Sequence, residues 1–386
     1  MLIVNKNLSV KAVAQIDGIE IFHFSDLASI ENDWRQFEIM AHSTVFQCFA
    51  WCKLWLDLCA LHRNLRPMIV VGRDNNGEIT FVLPFQLRKT FGITVLEWIG
   101  HGDFTYGGGI YSDAMMDGSW FTQNGASVLA TLHQAGVHNL HNMPGNIFGN
   151  ANPIEFLHHS MAANPSFQTT LRSDFQSLYR QMRSARSINS IQRRDKRLEA
   201  LGQLQFEHVT NLVDAEKALD EGLHHKAQQL RQAGIGAVFT QNDVQFYKAA
   251  LKSHLHVYRL RLDGHTLSTI LGTLYKGRFT LLIPSLATSA AQVHSPGDYL
   301  LRKSIALCCS DNIQVYDFGE GEQPYKLAWA DRRIDLYNSI STKTFIGLPL
   351  ALMLRLRQSF KRRIKTSPFM RENLYRARRI IFGKKS

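Results

Sequence analysis

Apolar and polar positions along the chain fall into two blocks that read alike. In the first, residues 67–72 (PMIVVG) form a β-rich run closed by Asn75-Asn76-Gly77, a hairpin turn signal, and 78–86 and 93–99 predict two further strands. A loop over 101–109 leads to a helix near 119–134 and a short strand at 137–143. The second block predicts a strand at 256–262, a turn at Asp263-Gly264, a strand at 267–275, a turn at Lys276-Gly277 and a strand at 278–286. A helix near 296–310 and a strand at 313–318 complete it. Residue identity between the blocks is weak, so what repeats is a pattern: strand, hairpin, strand, strand, loop, helix, strand.

Between the blocks, residues 174–201 contain no Pro or Gly and predict one basic helix carrying Arg180, Arg183, Arg186, Arg193, Arg194, Lys196 and Arg197. A second helix over 214–233 is ended by Gly234 and Gly236. Near the C-terminus, 347–365 interleaves Leu, Ile, Met and Phe with Arg355, Arg357, Lys361, Arg362 and Arg363, the pattern of an interfacial amphipathic helix. The 386 residues suffice for two domains, each with its own core. The expected fold class is mixed α/β (α+β): two similar halves, each a mostly antiparallel mixed sheet flanked by helices, with a basic helical tail. Its expected divisions are an extension (1–20), a first half (21–170), a basic linker helix (171–201), a second half (202–340) and the tail (341–386).

The net charge of +12 first suggests a nucleic-acid partner, but its placement changes that. Residues 341–386 hold 13 of the 44 Lys and Arg and one of the 32 acids, Glu372, leaving 31 of each sign elsewhere. The body is neutral and lacks a broad basic stripe, so nucleic acid is not expected as a partner, tRNA excepted. A tail of this charge suits an anionic membrane surface. Five cysteines, with Cys308 and Cys309 adjacent, form neither a disulfide framework nor a metal spacing and fit a reducing compartment. The first 20 residues carry no continuous apolar run, and 345–354 is about half a bilayer span. The expectation is a cytoplasmic chain, peripheral to the inner membrane through its tail.

Several chemistries are excluded by what is missing. Asp317-Phe318-Gly319 spells the kinase magnesium tripeptide, without the glycine-rich loop, the β3 lysine or the catalytic loop that should precede it. The adjacent pairs His158-His159 and His224-His225 diverge by about 100° on a helix, so no metal site is expected there. The stretch 293–329 is more informative. Ser295, Pro296, Gly297 and Asp298 open a helix, with Ser295 as N-cap and Pro296 in the first turn, where free N–H groups and the helix dipole suit a pyrophosphate. A strand then ends in a glycine-bearing loop, Asp317 to Glu322, followed by Tyr325, Lys326 and Trp329.

The order SPGDYLL and then DFGEGEQPYKLAW resembles the second half of the GNAT-related acetyltransferases linked to bacterial cellulose and exopolysaccharide synthesis (CelD-like). Upstream, Thr44-Val45-Phe46-Gln47 with Trp51, Leu83-Pro84-Phe85, the loop 100–103 with Tyr106, the segment IQRRDKRLEALG (191–202), and Leu223-His224 with Lys226 resemble the same family, so coverage runs over about 21–338. The family's phosphate signature is reduced to one glycine, Gly297. The resemblance implies two tandem GNAT folds, similar to the Fem-type ligases, an acyl-CoA such as acetyl-CoA as co-substrate, and direct acyl transfer to an amine or amino sugar. It casts Asp317 or Glu322 as base or amine-binding carboxylate, Lys326 as partner of the oxyanion or of a substrate anion, and Tyr325 as hydroxyl donor or acid to the leaving thiolate. Ser295, Gly297 and Asp298 would hold the cofactor, and Asp103, Tyr106, His224 and Lys226 would line a substrate cleft between the halves. Each has a structural alternative: Asp317 capping a turn, Glu322 solvated, Lys326 pairing with Glu322 at i,i+4, Tyr325 and Trp329 as a packed stripe, Asp103 bonding its own loop. The tail would contact an anionic membrane or a polysaccharide synthase, and two other functions stay open: a non-catalytic scaffold of a polysaccharide-synthesis complex, and a Fem-like protein using aminoacyl-tRNA.

Overall fold

A computed structural model of the chain describes residues 11–147, 149–154, 157–236 and 239–366. The first run of elements is β1 (Ala14–Ile16), β2 (Ile19–Phe24), α1 (Glu31–Met40), α2 (Phe49–Trp55), β3 (Arg66–Arg73), β4 (Ile79–Thr90), β5 (Ile93–Trp98), β6 (Ile110–Tyr111), α3 (Ser119–Ala130), β7 (Val137–Pro144), β8 (Asn146–Ile147), β9 (Asn150–Ala151) and β10 (His159–Met161). There follow β11 (Ser166–Thr170), α4 (Phe175–Met182), α5 (Ala185–Glu199), β12 (Leu204–Val209), α6 (Leu212–Gln232), α7 (Gln241–Ala250), β13 (Leu255–Leu262), β14 (His265–Tyr275), β15 (Arg278–Leu286), α8 (Pro296–Ser310), β16 (Val315–Glu320), α9 (Pro324–Trp329), β17 (Arg332–Ile334), β18 (Leu336–Thr342) and α10 (Leu348–Thr366).

The chain divides into two units. One takes the described residues up to Ala162 together with Asp335–Lys361; the other takes Ala163–Ile334 and what is described beyond Lys361. In the first, the sheet order is β1-β2-β3-β4-β5-β7-β18-β10, with β6 beside β4, and every pairing is antiparallel except β5 with β7. Phe81, Phe85, Trp98, Leu140 and Met143 from the strands pack with Phe121, Val128 and Leu129 of α3. The second sheet runs β12-β13-β14-β15-β16-β11-β17 and again holds one parallel pair, β15 with β16. Its core joins Tyr258, Phe279, Leu281 and Tyr316 to Leu300 and Ile305 of α8 and to Trp329 of α9. Each such fully buried apolar side chain contributes about 1.5–3 kcal/mol. The sequence expectation of a mixed α/β chain with two similar sheet-and-helix halves holds.

Turn chemistry accounts for the hairpins. Asp263-Gly264 and Lys276-Gly277 have positive φ at both positions (47° and 82°; 46° and 69°), the mirror-type turn that matches strand twist. Asp74 Oδ1 accepts from the N–H groups of Asn76 and Glu78, closing the first hairpin.

Three expectations need correction. The single helix over 174–201 is two helices: Arg183 is extended (φ −136°, ψ 139°), and Ser184 caps α5 by accepting from the Ser187 N–H. Residues 14–20, read as an extension, lie in β1 and β2 and join the first sheet through β3. Several strands that the patterning did not mark extend the sheets: β11 pairs with β16 and β12 with β13, while β18 pairs with β7 and β10 with β18.

Candidate active site

The site begins where the one parallel pair of the second sheet comes apart. β15 and β16 are in register at Arg278–Val315, Phe279–Tyr316 and Thr280–Asp317, and then separate, while β16 keeps its antiparallel partner β11 on the other side. Asp317 stands at the last paired position and is fully buried. Its carboxylate meets Arg278 Nη1 at 3.1 Å and accepts from Gln168 Nε2 (3.2 Å), Ser166 Oγ (3.4 Å) and the Gly319 N–H (2.8 Å). A carboxylate so surrounded is a structural anchor. The alternative of a turn cap describes it better than that of a free base.

The Gly319 bond fixes a left-handed residue (φ 68°) at the end of β16, which turns the carbonyls of Gly319 and Glu320 toward α9. Lys326, on α9, donates to both, at 3.4 Å and 2.6 Å. It is buried, and that burial depresses its pKa to about 8, with the Lys226 ammonium adding to the fall and Asp317 and Glu320 opposing it. The i,i+4 pairing of Lys326 with Glu322 is absent: Glu322 is about half exposed and faces Arg333 at 3.8 Å. Tyr325 is partly buried against the core, which pushes its phenol up to about 12, so the group is a neutral O–H at ordinary pH. Trp329 packs fully, stacked with Tyr179 and Phe175.

At the start of α8, Ser295 does occupy the N-cap position, but in a left-handed conformation (φ 54°, ψ 57°) and without a side-chain cap bond. Instead its carbonyl takes the N–H groups of Asp298 and Tyr299. A Cβ on Gly297 would meet only Leu286 Cδ1 at 3.8 Å and Ser268 Oγ at 3.9 Å, so packing does not require glycine there. Asp298 is not open to a cofactor: Arg194 Nη2 (2.9 Å) and Arg302 Nε (3.3 Å) hold its carboxylate, and Arg302 also makes a two-point pair with Asp195 of α5. The helix start is thereby ringed by arginines. Arg183 reaches α9, where its guanidinium bonds the Ala328 carbonyl and lies over Trp329; burial lowers its pKa, and the Asp298 charge opposes that fall.

Of the residues expected to bind substrate, Lys226 neighbours Lys326, whereas His224 faces away. Gly222 brings α6 close against Thr269, and Lys226, one turn on, lies on that same inward side, where burial depresses its pKa. His224 points outward, exposed, and contacts Gln228 at 3.0 Å. Asp103 and Tyr106 belong to the first unit. Asp103 pairs with Arg63 and accepts from Trp55 Nε1 (3.3 Å), while Tyr106 is buried and its carbonyl accepts from Gln47 Nε2 (3.0 Å). Sequence reasoning missed Arg278, Gln168, Arg302 and Asp195. Only charge in a buried strand (Arg278) and an acid set between Arg194 and Lys196 (Asp195) marked any of them.

Residues 183–327, which include Lys326 and the start of α8, match the family described as Acetyltransferase (GNAT) domain. Among solved structures, FemX is similar at 10% identity with a TM-score of 0.61, over 86% of this chain and 99% of that one. A conserved protein of unknown function from Bacteroides thetaiotaomicron VPI-5482 is similar at 10% identity and TM-score 0.51, over 83% and 99%. At these identities the likeness is one of fold. No curated protein matches the chain in sequence.

Proposed function

We propose that the chain is a GNAT-type N-acyltransferase, with its chemistry at the opening between β15 and β16 of the second unit. One observation carries the reading: Lys326 is buried beside the diverging strands, with its pKa depressed to about 8 and two of its three N–H groups held by the Gly319 and Glu320 carbonyls. A lysine so held has one donor left to direct at a developing oxyanion, in surroundings where a charge counts for more than in water.

In this reading the acceptor's neutral nitrogen forms the new C–N bond at the carbonyl carbon of an acyl-CoA thioester, and Lys326 donates to the oxygen that takes up the electron pair. Glu322, solvent-facing, receives the proton that the amine loses. As the C–S bond breaks, the Tyr325 O–H donates a hydrogen bond to the departing thiolate, which takes its proton from solvent; the raised pKa keeps the phenol neutral and able to donate. Asp317 acts through the Gly319–Glu320 backbone as a positioning residue. Gly297 and the arginines at the start of α8 would receive the donor's phosphates, with the Asp298 charge already offset by Arg194 and Arg302. What supports an amino sugar of a bacterial polysaccharide or envelope as acceptor is the CelD-like order of motifs.

A second donor is favoured by one feature. Arg186, Arg193, Lys196 and Arg197 form an exposed row on α5, a surface that fits a phosphodiester backbone and hence an aminoacyl-tRNA donor. Calorimetry separates the readings. Heat on adding acetyl-CoA supports the thioester donor; tRNA binding that weakens steeply with salt supports the other; neither would leave a scaffold.

A further inference from the structure

We propose that α10 and the turn before it dock the protein in plane on an anionic lipid bilayer, a property separate from the acyl transfer proposed above. The helix has two apolar sides. Leu350, Ala351 and Leu354 pack against Val95, Val137 and Ile340 of the first unit's sheet. On the roughly opposite side, at 100° per residue, Leu352, Leu356 and Phe360 form a row with Met353 beside it, and these four are 58%, 61%, 59% and 46% exposed. Ahead of the helix, Phe345 and Ile346 are 90% and 79% exposed, the former the most exposed large apolar residue among those described.

This tip is held in place. Thr342 Oγ1 donates to the Gly136 carbonyl at 2.6 Å, the Gly347 N–H donates to the Thr344 carbonyl (3.1 Å), and a Cβ on Gly347 would collide with Thr342 Oγ1 and the Gly136 carbonyl. Hydrogen bonds therefore fix the turn with Phe345 and Ile346 outward. Farther along, Arg355 donates twice to the Ile340 carbonyl, and Gln358 contacts His141. The outer row is thus presented by a helix fastened along its inner side.

Charge selects the occupant. Arg357 borders the row on one side and Arg362 on the other, with Lys361, Arg363 and Lys365 following, and the helix carries no acid. A second protein with an apolar patch would need matching acids. A bilayer containing anionic lipid supplies both an apolar layer and negative headgroups over the helix's full length of about 28 Å. Spanning is not an alternative, because no described helix is long and apolar enough to cross a membrane.

The test is sedimentation of the full chain with sucrose-loaded vesicles of phosphatidylcholine alone or mixed with phosphatidylglycerol, against the F345S/I346S and L352Q/L356Q variants and an R357Q/R362Q variant. These side chains are exposed, and unchanged circular dichroism melts check that the variants fold. Binding to the mixed vesicles is expected to exceed binding to neutral ones at least about tenfold, with each variant losing at least about fivefold. Equal binding to both vesicle types overturns the proposal. So does absence of binding, or retention of wild-type binding by both apolar variants. Dimerisation abolished by the apolar variants, with no vesicle binding, would assign this face to a second copy of the chain instead.

Discussion

Asp317 and Lys326 are joined through a single residue: the Gly319 N–H donates to the carboxylate of one, and the Gly319 carbonyl accepts from the ammonium of the other. The carboxylate is placed by the last parallel pairing of β15 with β16, and the ammonium by the short helix that follows β16. Sheet topology and the short helix thus bring the two groups together across one peptide unit.

Removing the charge of Asp317 takes a buried carboxylate away from Arg278, which is only 8% exposed at its side chain. Asp317→Asn is expected to cost about 3–5 kcal/mol in urea unfolding, because the buried guanidinium loses a charged partner. Asp317→Asn/Arg278→Met should recover much of that stability yet leave Lys326 misplaced and turnover low. Full turnover in a well-folded double variant would remove Asp317 from the site.

The depressed pKa of Lys326 sets a direction for pH. Its folded value, about 8, lies below its ordinary 10.5, so the unfolded chain binds more protons between those values, and this group's contribution to stability rises with pH across that window. Lys326→Met should lose that rise, on the order of 3 kcal/mol in full, in unfolding curves compared with wild type across the window. For turnover the sign is opposite: kcat/KM should fall as pH passes above about 8 and the ammonium is lost. Lys326→Arg, charged throughout, should retain some activity and move that limb to higher pH.

Tyr325→Phe deletes a hydrogen-bond donor to the leaving sulfur while keeping the ring in the core. We expect kcat to fall about 100-fold and folding stability to change by less than about 1 kcal/mol. Steady-state rates with donors of different leaving-group pKa check the role, since a good leaving group needs the phenol less and should lose less.

Gly297→Leu should raise the KM for the thioester donor at least about tenfold and leave kcat at saturation near wild type. There is room for a first carbon at this position, so the fold should persist, and Gly297→Ala serves as the mild control. A melting temperature unchanged together with an unchanged donor KM would place the donor elsewhere.

Much of the fold was legible because the hairpins are signalled locally: Asn76-Gly77, Asp263-Gly264 and Lys276-Gly277 sit between alternating apolar runs, and the strands they join extend within a few residues of expectation. β11 (SFQTT) and β18 (LYNSIST) were not legible, since they are polar and short, and the partners that make them strands are far away in sequence. The break at Arg183 was hidden for another reason. No Gly or Pro marks it; the bond from Arg183 to the Ala328 carbonyl and its stacking on Trp329 hold an extended residue between two helices. In the site, the segment from Asp317 to Lys326 stood out for its density of charge and aromatic groups. Which of those groups face inward did not, because Asp317's partners Arg278, Gln168 and Ser166 lie on two other strands. Spacing alone offered Glu322 to Lys326, while the folded chain gives the lysine two carbonyls.

The most direct measurement is release of free thiol from acetyl-CoA by the full chain in the presence of a panel of amines and amino sugars, with the acylated product identified by mass. The account predicts amine-dependent thiol release by the wild type and its loss, at least about 100-fold, in folded Lys326→Met. Undiminished release by that variant, or no release and no heat of acetyl-CoA binding by the wild type, would contradict it.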